Sequence, residues 1–469
     1  MKRRLGYTAL TGALAALPFL LGAPDLAHAQ QAPGSGSFPN SFLIPGTNTS
    51  LRVGGFVKLD AWYDFSTHGD TGQNGGTTGM SVGGIPLDDN KPGDNATNLQ
   101  GHSFHGRMAW SAAESRFNFE SRTPTAWGEV KTFLELDLEQ PSGLVNTGGV
   151  RGNSDSIAPR LRQAYGTFGP WLFGQTFPLF SDGIASPETL DFAGDSALAG
   201  PLRIPEIRYT FDAGNGITLA AALDDESIVF DNGVSGGQST SFSPCGGTAV
   251  GTCVITNANS SSNIAAGYKL PAAVLNGTLS QAWGHVSLRG LLRDLYYHGP
   301  SNVQAGADSK IERFGWGAGF SGDFHLPTGL RDAILWQANG GRGIGRFINN
   351  EGTNQGDFVV DAGGTPHLID AWNATLGVIH YWTDQLRSNA DGEISYFVIP
   401  HGGGIWATEA AGSAFGSFNR AIYGAHANLI WSPIPAMDLG AEYIFLERIV
   451  EDGRHGIGHR LQFSSKFRF

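Results

Sequence analysis

Over the last ten residues hydrophobic and polar side chains alternate almost strictly. Leu461, Phe463, Ser465, Phe467 and Phe469 share one parity, while Arg460, Gln462, Ser464, Lys466 and Arg468 take the other. A period of two is that of an extended strand with two unlike faces. Near the other end Leu51, Val53, Val57, Leu59, Ala61, Tyr63 and Phe65 oppose Arg52, Lys58, Asp60 and Asp64. The pattern recurs between these two segments. Phe117 and Phe119 oppose Arg116, Asn118, Glu120 and Arg122, and Val130, Thr132, Leu134, Leu136 and Leu138 oppose Lys131, Glu135, Asp137 and Glu139. Leu161 opposes Arg160 and Arg162, Ile207, Tyr209 and Phe211 oppose Glu206 and Arg208, and Val286, Leu288 and Leu292 oppose Arg289 and Arg293. A soluble half-buried strand alternates in the same way, but so does a strand with lipid on one side and a watery lumen on the other.

The connections decide between these. Long polar or Gly/Asn/Asp-rich segments fall near 66–103, 140–157, 177–203, 224–263, 298–310, 347–370, 401–419 and 448–459. Between them lie short turn signals at Thr123 to Thr125, Gly169-Pro170, Asp212 to Gly216, Ala282 to Gly284, His325 to Gly329, Asp384 to Gly392 and Pro433 to Pro435. Eight long and seven short connections join sixteen strands, and long loops alternating with short turns are the habit of transmembrane barrels. The reading is an all-β, 16-stranded antiparallel transmembrane β-barrel over residues 50–469, with long external loops, short periplasmic turns, and first and last strands paired so that no edge is left open.

Composition narrows the picture. Glycine makes up 68 of 469 residues, about twice ordinary usage, and charged residues only 15%. Glycine is costly inside helices, and 29 Phe, 11 Trp and 11 Tyr are too many for a disordered chain. Lys2-Arg3-Arg4, an apolar stretch from Leu5 to Gly22 and Ala27-His28-Ala29 read as a signal peptide over 1–29, with 30–49 a short lead. No other stretch approaches 18 consecutive apolar residues. Taking Lys2, Arg3, Arg4 and Asp25 from 30 basic and 42 acidic residues leaves 27 and 41, a formal charge of −14, and argues against a nucleic-acid partner.

Several segments carry a family likeness. Arg162-Gln163-Ala164-Tyr165-Gly166, Gly174-Gln175-Thr176, Ser186-Pro187-Glu188-Thr189-Leu190-Asp191-Phe192, Ile207-Arg208-Tyr209-Thr210 and Asn428-Leu429-Ile430-Trp431-Ser432-Pro433 are similar to the pattern of DcaP-like porins, a resemblance that runs from about Gly46 to Phe469. It implies a homotrimeric sixteen-stranded channel in the outer membrane of a Gram-negative bacterium, taking up small anions such as dicarboxylates. The chain departs from that pattern in having only a short lead where some members carry a helical extension, and in reading Thr176-Phe177-Pro178 where Trp-Ser is typical. A final strand ending in Phe469 further resembles the closing signal read by the barrel-assembly machinery.

Charge on a lipid-facing position costs about 2–4 kcal/mol for Arg or Lys at the midplane, so the charged parity must face the lumen. Lys58, Arg116, Arg122, Lys131, Arg160, Arg162, Arg208, Arg289 and Arg293 are therefore expected to line the pore and meet anions, although each could instead neutralise lumen carboxylates such as Glu120, Glu135 and Glu206. Arginine forks suit carboxylates, and conduction needs contacts weak enough to release. By family analogy the third long connection, 177–203, folds inward, and Asp182, Glu188, Asp191 and Arg203 are its constriction residues, the acids expected to face the arginines. No nucleophile-base set, Gly-x-Ser-x-Gly elbow or phosphate loop is evident, and no histidine or acidic spacing marks a metal or other cofactor site. A hydrophobic-solute channel would want a greasier inward parity and a plug. A structural or adhesin barrel would not pass small solutes.

Cys245 and Cys253 bracket Gly246 to Thr252 in the longest loop. Export to an oxidising compartment favours a disulfide between them, worth roughly 2–3 kcal/mol on the chain-entropy model. Neither thiol should react with a maleimide until reductant is added; two reactive thiols in untreated protein would reject the pairing.

Overall fold

The structure is a computed structural model. It describes residues 35–469 apart from 69–78, 81, 83–84, 86, 88–102, 105, 140–158, 195–201, 226–264, 268, 301–307, 349–356, 361–365, 401–418 and 452. The expected signal peptide over 1–29, the first part of the expected lead, and Cys245 and Cys253 lie outside the described residues.

Sixteen strands form one wall. In chain order they are β1 (Ser50–His68), β2 (Arg107–Ser111 continued as Arg116–Thr125), β3 (Gly128–Asp137), β4 (Arg160–Phe168), β5 (Trp171–Thr176), β6 (Ile204–Gly214), β7 (Ile217–Asp224) and β8 (Ala265–Gly267 continued as Ala272–Gln281). There follow β9 (Gly284–Pro300), β10 (Asp308–His325), β11 (Ala333–Arg342), β12 (Asp370–Tyr381), β13 (Leu386–Val398), β14 (Asn419–Ile434), β15 (Met437–Val450) and β16 (His455–Arg468). Each pairs antiparallel with its chain neighbour, and β16 returns to β1 with Phe56 opposite Arg468 and Asp64 opposite Arg460. The expected sixteen-stranded closed barrel is the fold.

Closure is reinforced on the lumen side. The Arg460 guanidinium donates to both oxygens of Asp64 at 2.7 and 3.4 Å across the seam, and Gln462 and Ser464 both donate to Asp60. Outward positions carry the hydrophobic parity: Val53, Val57, Leu59, Phe117, Phe119, Ile207, Leu288 and Leu292 are all exposed. Side chains that a soluble protein would bury are thus turned to the hydrocarbon, while Lys58, Asp60, Arg162, Arg289, Arg293 and Arg460 are buried on the inside.

The short connections are tight. At the end of β6, Asn215 (φ 53°) and Gly216 (φ 78°) both adopt the left-handed conformation that a two-residue hairpin turn demands. One expected turn is shorter than its composition suggests. Only residues 382–385 separate β12 from β13, and Asn389, Asp391 and Glu393 are inward-facing positions of β13, opposite Asn428, His426 and Gly424. Polar residues facing a polar lumen are indistinguishable by composition from polar residues of a loop.

Inside the barrel lies an apolar cluster that parity does not foretell. Phe180 from the β5–β6 connection meets Ile344, Phe347 and Ile348 from the β11–β12 connection, the latter around the short helix α1 (Gly345–Ile348). The Phe180 and Phe347 rings cross at 83° with centroids 5.8 Å apart.

Leu288, 62% exposed on the outer face, tests the orientation of the wall. Leu288→Arg should cost about 2–4 kcal/mol in urea unfolding of the lipid-reconstituted barrel; an unchanged midpoint would mean that this face does not meet lipid.

Candidate functional site: a strap across the lumen and the wall it faces

The connection after β5 turns inward. Phe177-Pro178 breaks the ladder, Ser181 N–H donates to the Pro178 carbonyl at 3.0 Å, and the Asp182 carboxylate accepts from the Ile184 amide at 3.1 Å. From there the chain follows the inner faces of the second half of the barrel in strand order. Asp182 accepts from His285 Nε2 on β9 at 2.8 Å and from Ser321 on β10, and its carbonyl accepts from Gln337 on β11 at 2.7 Å. Pro187 lies against Gly377 of β12. Glu188 takes a two-pronged contact from Arg387 of β13 at 2.6 and 2.7 Å, while its carbonyl accepts from Asn428 of β14 at 2.7 Å. Leu190 and Asp191 donate their amides to Glu442 of β15 at 2.7 and 3.0 Å. The Leu190 carbonyl accepts from Gln462 of β16 at 2.9 Å and from Lys58 Nζ of β1 at 2.7 Å. Residues 182–191 thus form a strap fastened to half the circumference.

Two of the fastening carboxyls are displaced from their ordinary range in opposite directions. Burial works to raise Asp182, but hydrogen bonds from His285 and Ser321 and the charges of His285 and Arg289 outweigh it and hold the carboxyl at about 2. Asp191 goes the other way: burial, with Glu442 adding repulsion, pushes it up to about 6 against the attraction of Arg460 and His426.

The other half of the wall carries the clustered guanidiniums. Arg116 on β2, Arg160 and Arg162 on β4, and Arg203 immediately before β6 stand together. Asp137 takes Arg160 through two bonds at 3.0 and 2.8 Å, and also accepts from Arg162, which reaches Glu135 at 2.8 Å. Arg116 lies 3.7 Å from Glu114, a carboxylate shared with Lys58. Arg203 makes no ion pair among the described residues; its guanidinium sits 4.9 Å from the centre of the Phe177 ring and its Nε has no hydrogen-bond partner. Burial, compounded by repulsion from Arg162, Arg116 and Arg160, pushes Arg203 down to about 9. Phe192, at the far end of the strap, returns to the cluster with its ring centre 5.1 and 5.7 Å from the Arg160 and Arg162 guanidinium carbons.

The remaining sequence-derived residues separate by position. Arg122 and Lys131, with Arg52, surround Glu120. Arg208 pairs with Glu206 at 2.6 Å and donates to the Phe177 carbonyl. Arg289 approaches Asp182 at 3.5 Å, and Arg293 holds Asp357 and the Gly343 carbonyl, so these two fasten inward loops and are not in the cluster. Asp182, Glu188 and Asp191 do not face the arginines across a gap. They are turned to the wall behind them, because ten backbone units laid against a sheet already satisfied in its own ladder need side-chain partners. Arg387, Glu442 and Arg460 were the fasteners least evident in sequence, although all occupy inward parity positions of their strands.

Comparison with known proteins bears on what carries this site. A family model described as "Porin subfamily" matches residues 39–288. The chain belongs to the porin subfamily. It is similar to Porin Omp2a of Brucella melitensis biotype 1, 28% identical over 199 residues that cover 41% of this chain and 46% of that protein. It is also similar to Porin Omp2b of Brucella suis biovar 1, 27% identical over 188 residues, covering 39% and 41%. The match spans under half the length of these relatives. Among solved structures, the outer membrane channel DcaP of Acinetobacter baumannii shares the fold, with a TM-score of 0.65 at 20% identity over 93% of this chain and 100% of that one. The porin likeness read from the sequence motifs therefore holds, and with it the location of the barrel in a Gram-negative outer membrane.

The two shifted carboxyls give the strap a defined acid response. A depressed carboxyl such as Asp182 contributes fully above its ordinary range of ~4 and is lost only as pH falls through about 2, so its end of the strap stays fastened in mild acid. Asp191, raised to about 6, costs the folded state above that pH, and the cost disappears as pH falls from 6 towards 4. Asp191→Asn should therefore be more stable than the parent porin at pH 7.5 in urea unfolding, with the gap narrowing at pH 5. A gap independent of pH would remove Asp191 as the titrating group.

Proposed function

We propose that this porin is a water-filled diffusion channel, not an enzyme, and that it admits small anionic solutes, dicarboxylates foremost, as a homotrimer in the outer membrane. The observation that carries the selectivity is the Arg116, Arg160, Arg162 and Arg203 cluster. Glu114, Glu135 and Asp137 adjoin these guanidiniums, and Arg203 has no ion pair among the described residues. The strap leaves this half of the wall opposite it, so a solute crossing the lumen meets the Arg203 charge beside the rings of Phe177 and Phe192.

Magnitudes favour passage over capture. A unit-charge pair at ~4 Å is worth about 1 kcal/mol in water and about 4 kcal/mol at an effective dielectric of 20. Most of the guanidiniums are already half-committed to carboxylates, which leaves a net attraction nearer the lower figure, and a dicarboxylate can use two such contacts without being held. Lys58, Arg289 and Arg293 serve this reading indirectly by keeping the strap and the β11–β12 connection in place, whereas Arg122, Lys131 and Arg208 extend the positive steps along the wall. Outer-membrane lipid covers the apolar face, and the barrel-assembly machinery would read the β16 strand ending at Phe469.

Arg203→Gln removes the unpaired charge without stranding a carboxylate. In planar bilayers under a salt gradient it should lower the anion-to-cation permeability ratio about fivefold, the equivalent of about 1 kcal/mol, and weaken current block by added succinate. Arg160→Glu with Arg162→Glu should lower the ratio further. Equal cation and anion passage in the parent protein would defeat the anionic-solute reading and leave the barrel intact.

A further inference from the structure

On the wall behind the strap a histidine faces two carboxylates. Asp391 and Glu393 are successive inward positions of β13, and His426 stands directly opposite Asp391 on β14. One ligand atom from each of the three lies within 4.8 Å of the others, and all three residues are buried. His426 Nε2 is 3.9 Å from Glu393 Oε1, too far for a hydrogen bond, and it has no hydrogen-bond partner among the described residues. The ring is 97% buried and aims this atom into the cluster.

Two further features shape the place. Gly424, opposite Glu393 in the ladder, has no side chain, and a Cβ there would fall 1.8 Å from Glu393 Oε1. The Glu393 carboxylate therefore lies flat over the β14 backbone towards the imidazole, a position that only glycine permits. On the other side of the ring, Nδ1 lies 3.4 Å from Glu442 Oε1. A carboxylate that accepts the Nδ1 proton fixes the tautomer in which Nε2 presents its lone pair, which is the usual outer support of a metal-bound histidine.

We propose that Asp391, Glu393 and His426 form a binding site for a divalent transition-metal ion in the lumen wall. Two carboxylate oxygens and one imidazole nitrogen, with no thiolate, suit zinc, which binds such atoms at about 2.0–2.2 Å and takes water as a fourth ligand. A separation of 3.9 Å between Nε2 and Glu393 already accommodates an ion bonded to both. The bound ion clamps β13 to β14 two residues nearer the long-loop end than Asn428, which together with Glu442 fastens the strap. It also cancels an acidic stretch of lumen wall that would repel anions. The reading does not depend on the solute that the channel carries. The competing arrangement is a protonated imidazole held by the same carboxylates, with Asp191 and Glu442 beside it and no ion.

Equilibrium dialysis of the refolded full-length barrel against zinc chloride, with bound zinc measured by mass spectrometry, separates the two. The expected result is one zinc per chain, with affinity lowered tenfold or more in His426→Gln and in Asp391→Asn, each checked for heat-modifiable electrophoretic mobility as a sign of a closed barrel. If only one variant folds, that variant decides. Absence of stoichiometric zinc in the parent protein, or undiminished binding in a folded variant, would overturn the proposal and leave the protonated imidazole.

Discussion

A bilayer offers no water to an unpaired peptide group, and every other feature of this molecule follows from meeting that constraint by closing a sheet on itself. Closure requires β16 to find β1, and the side chains at that seam pair across it on the inner wall: Asp64 with Arg460, Asp60 with Gln462 and Ser464. A closed sheet has only two faces to differentiate. One faces hydrocarbon and takes the leucines, valines and aromatics, so every charge the chain carries within the wall is driven into the same confined space. The lumen is consequently a place where ions must find one another, and among the described residues most of its charges stand in pairs and triads, Arg203 being an exception.

That crowding decides which charges are available for anything else. Arg162 shares Asp137 with Arg160, and Arg52, Arg122 and Lys131 share Glu120. Where donors and acceptors balance, the result is a stiff wall; around Arg203, which has no ion pair among the described residues, they do not. The strap accentuates the contrast. By lying along the inner faces of β9 to β16 it engages polar groups of nearly all of those strands, while the arginine cluster of β2 and β4 stands on the other half of the circumference.

Much of this was legible in the sequence because the relevant signal has a period of two and a simple physical cause. The outward parity of Leu288 and Leu292 against Arg289 and Arg293 needs no structure to read, and alternation of long and short connections yields the strand count. What escaped was anything that depends on which wall residue meets which. Asp182, Glu188 and Asp191 were expected to look across the lumen, yet they look outward to His285, Arg387 and Arg460, partners about 100 to 270 positions later in the chain. Asp384 to Gly392 resembled a turn throughout because the inside of a barrel has the composition of an outside. The apolar contact of Phe180 with Phe347 inside a polar lumen likewise carries no local periodicity, since each ring sits in an irregular segment.

The order of the strap's partners has a temporal meaning. Its residues precede nearly all of the groups that hold it: Arg387, Asn428, Glu442 and Gln462 all belong to strands completed after it, and Leu190 waits on a partner 272 residues downstream. Contacts of such long sequence separation form late, because the loop-closure entropy must be met before they contribute. The strap can therefore be fastened in full only once β9 to β16 are in place, and an assembly intermediate arrested before that point would leak more than the finished porin.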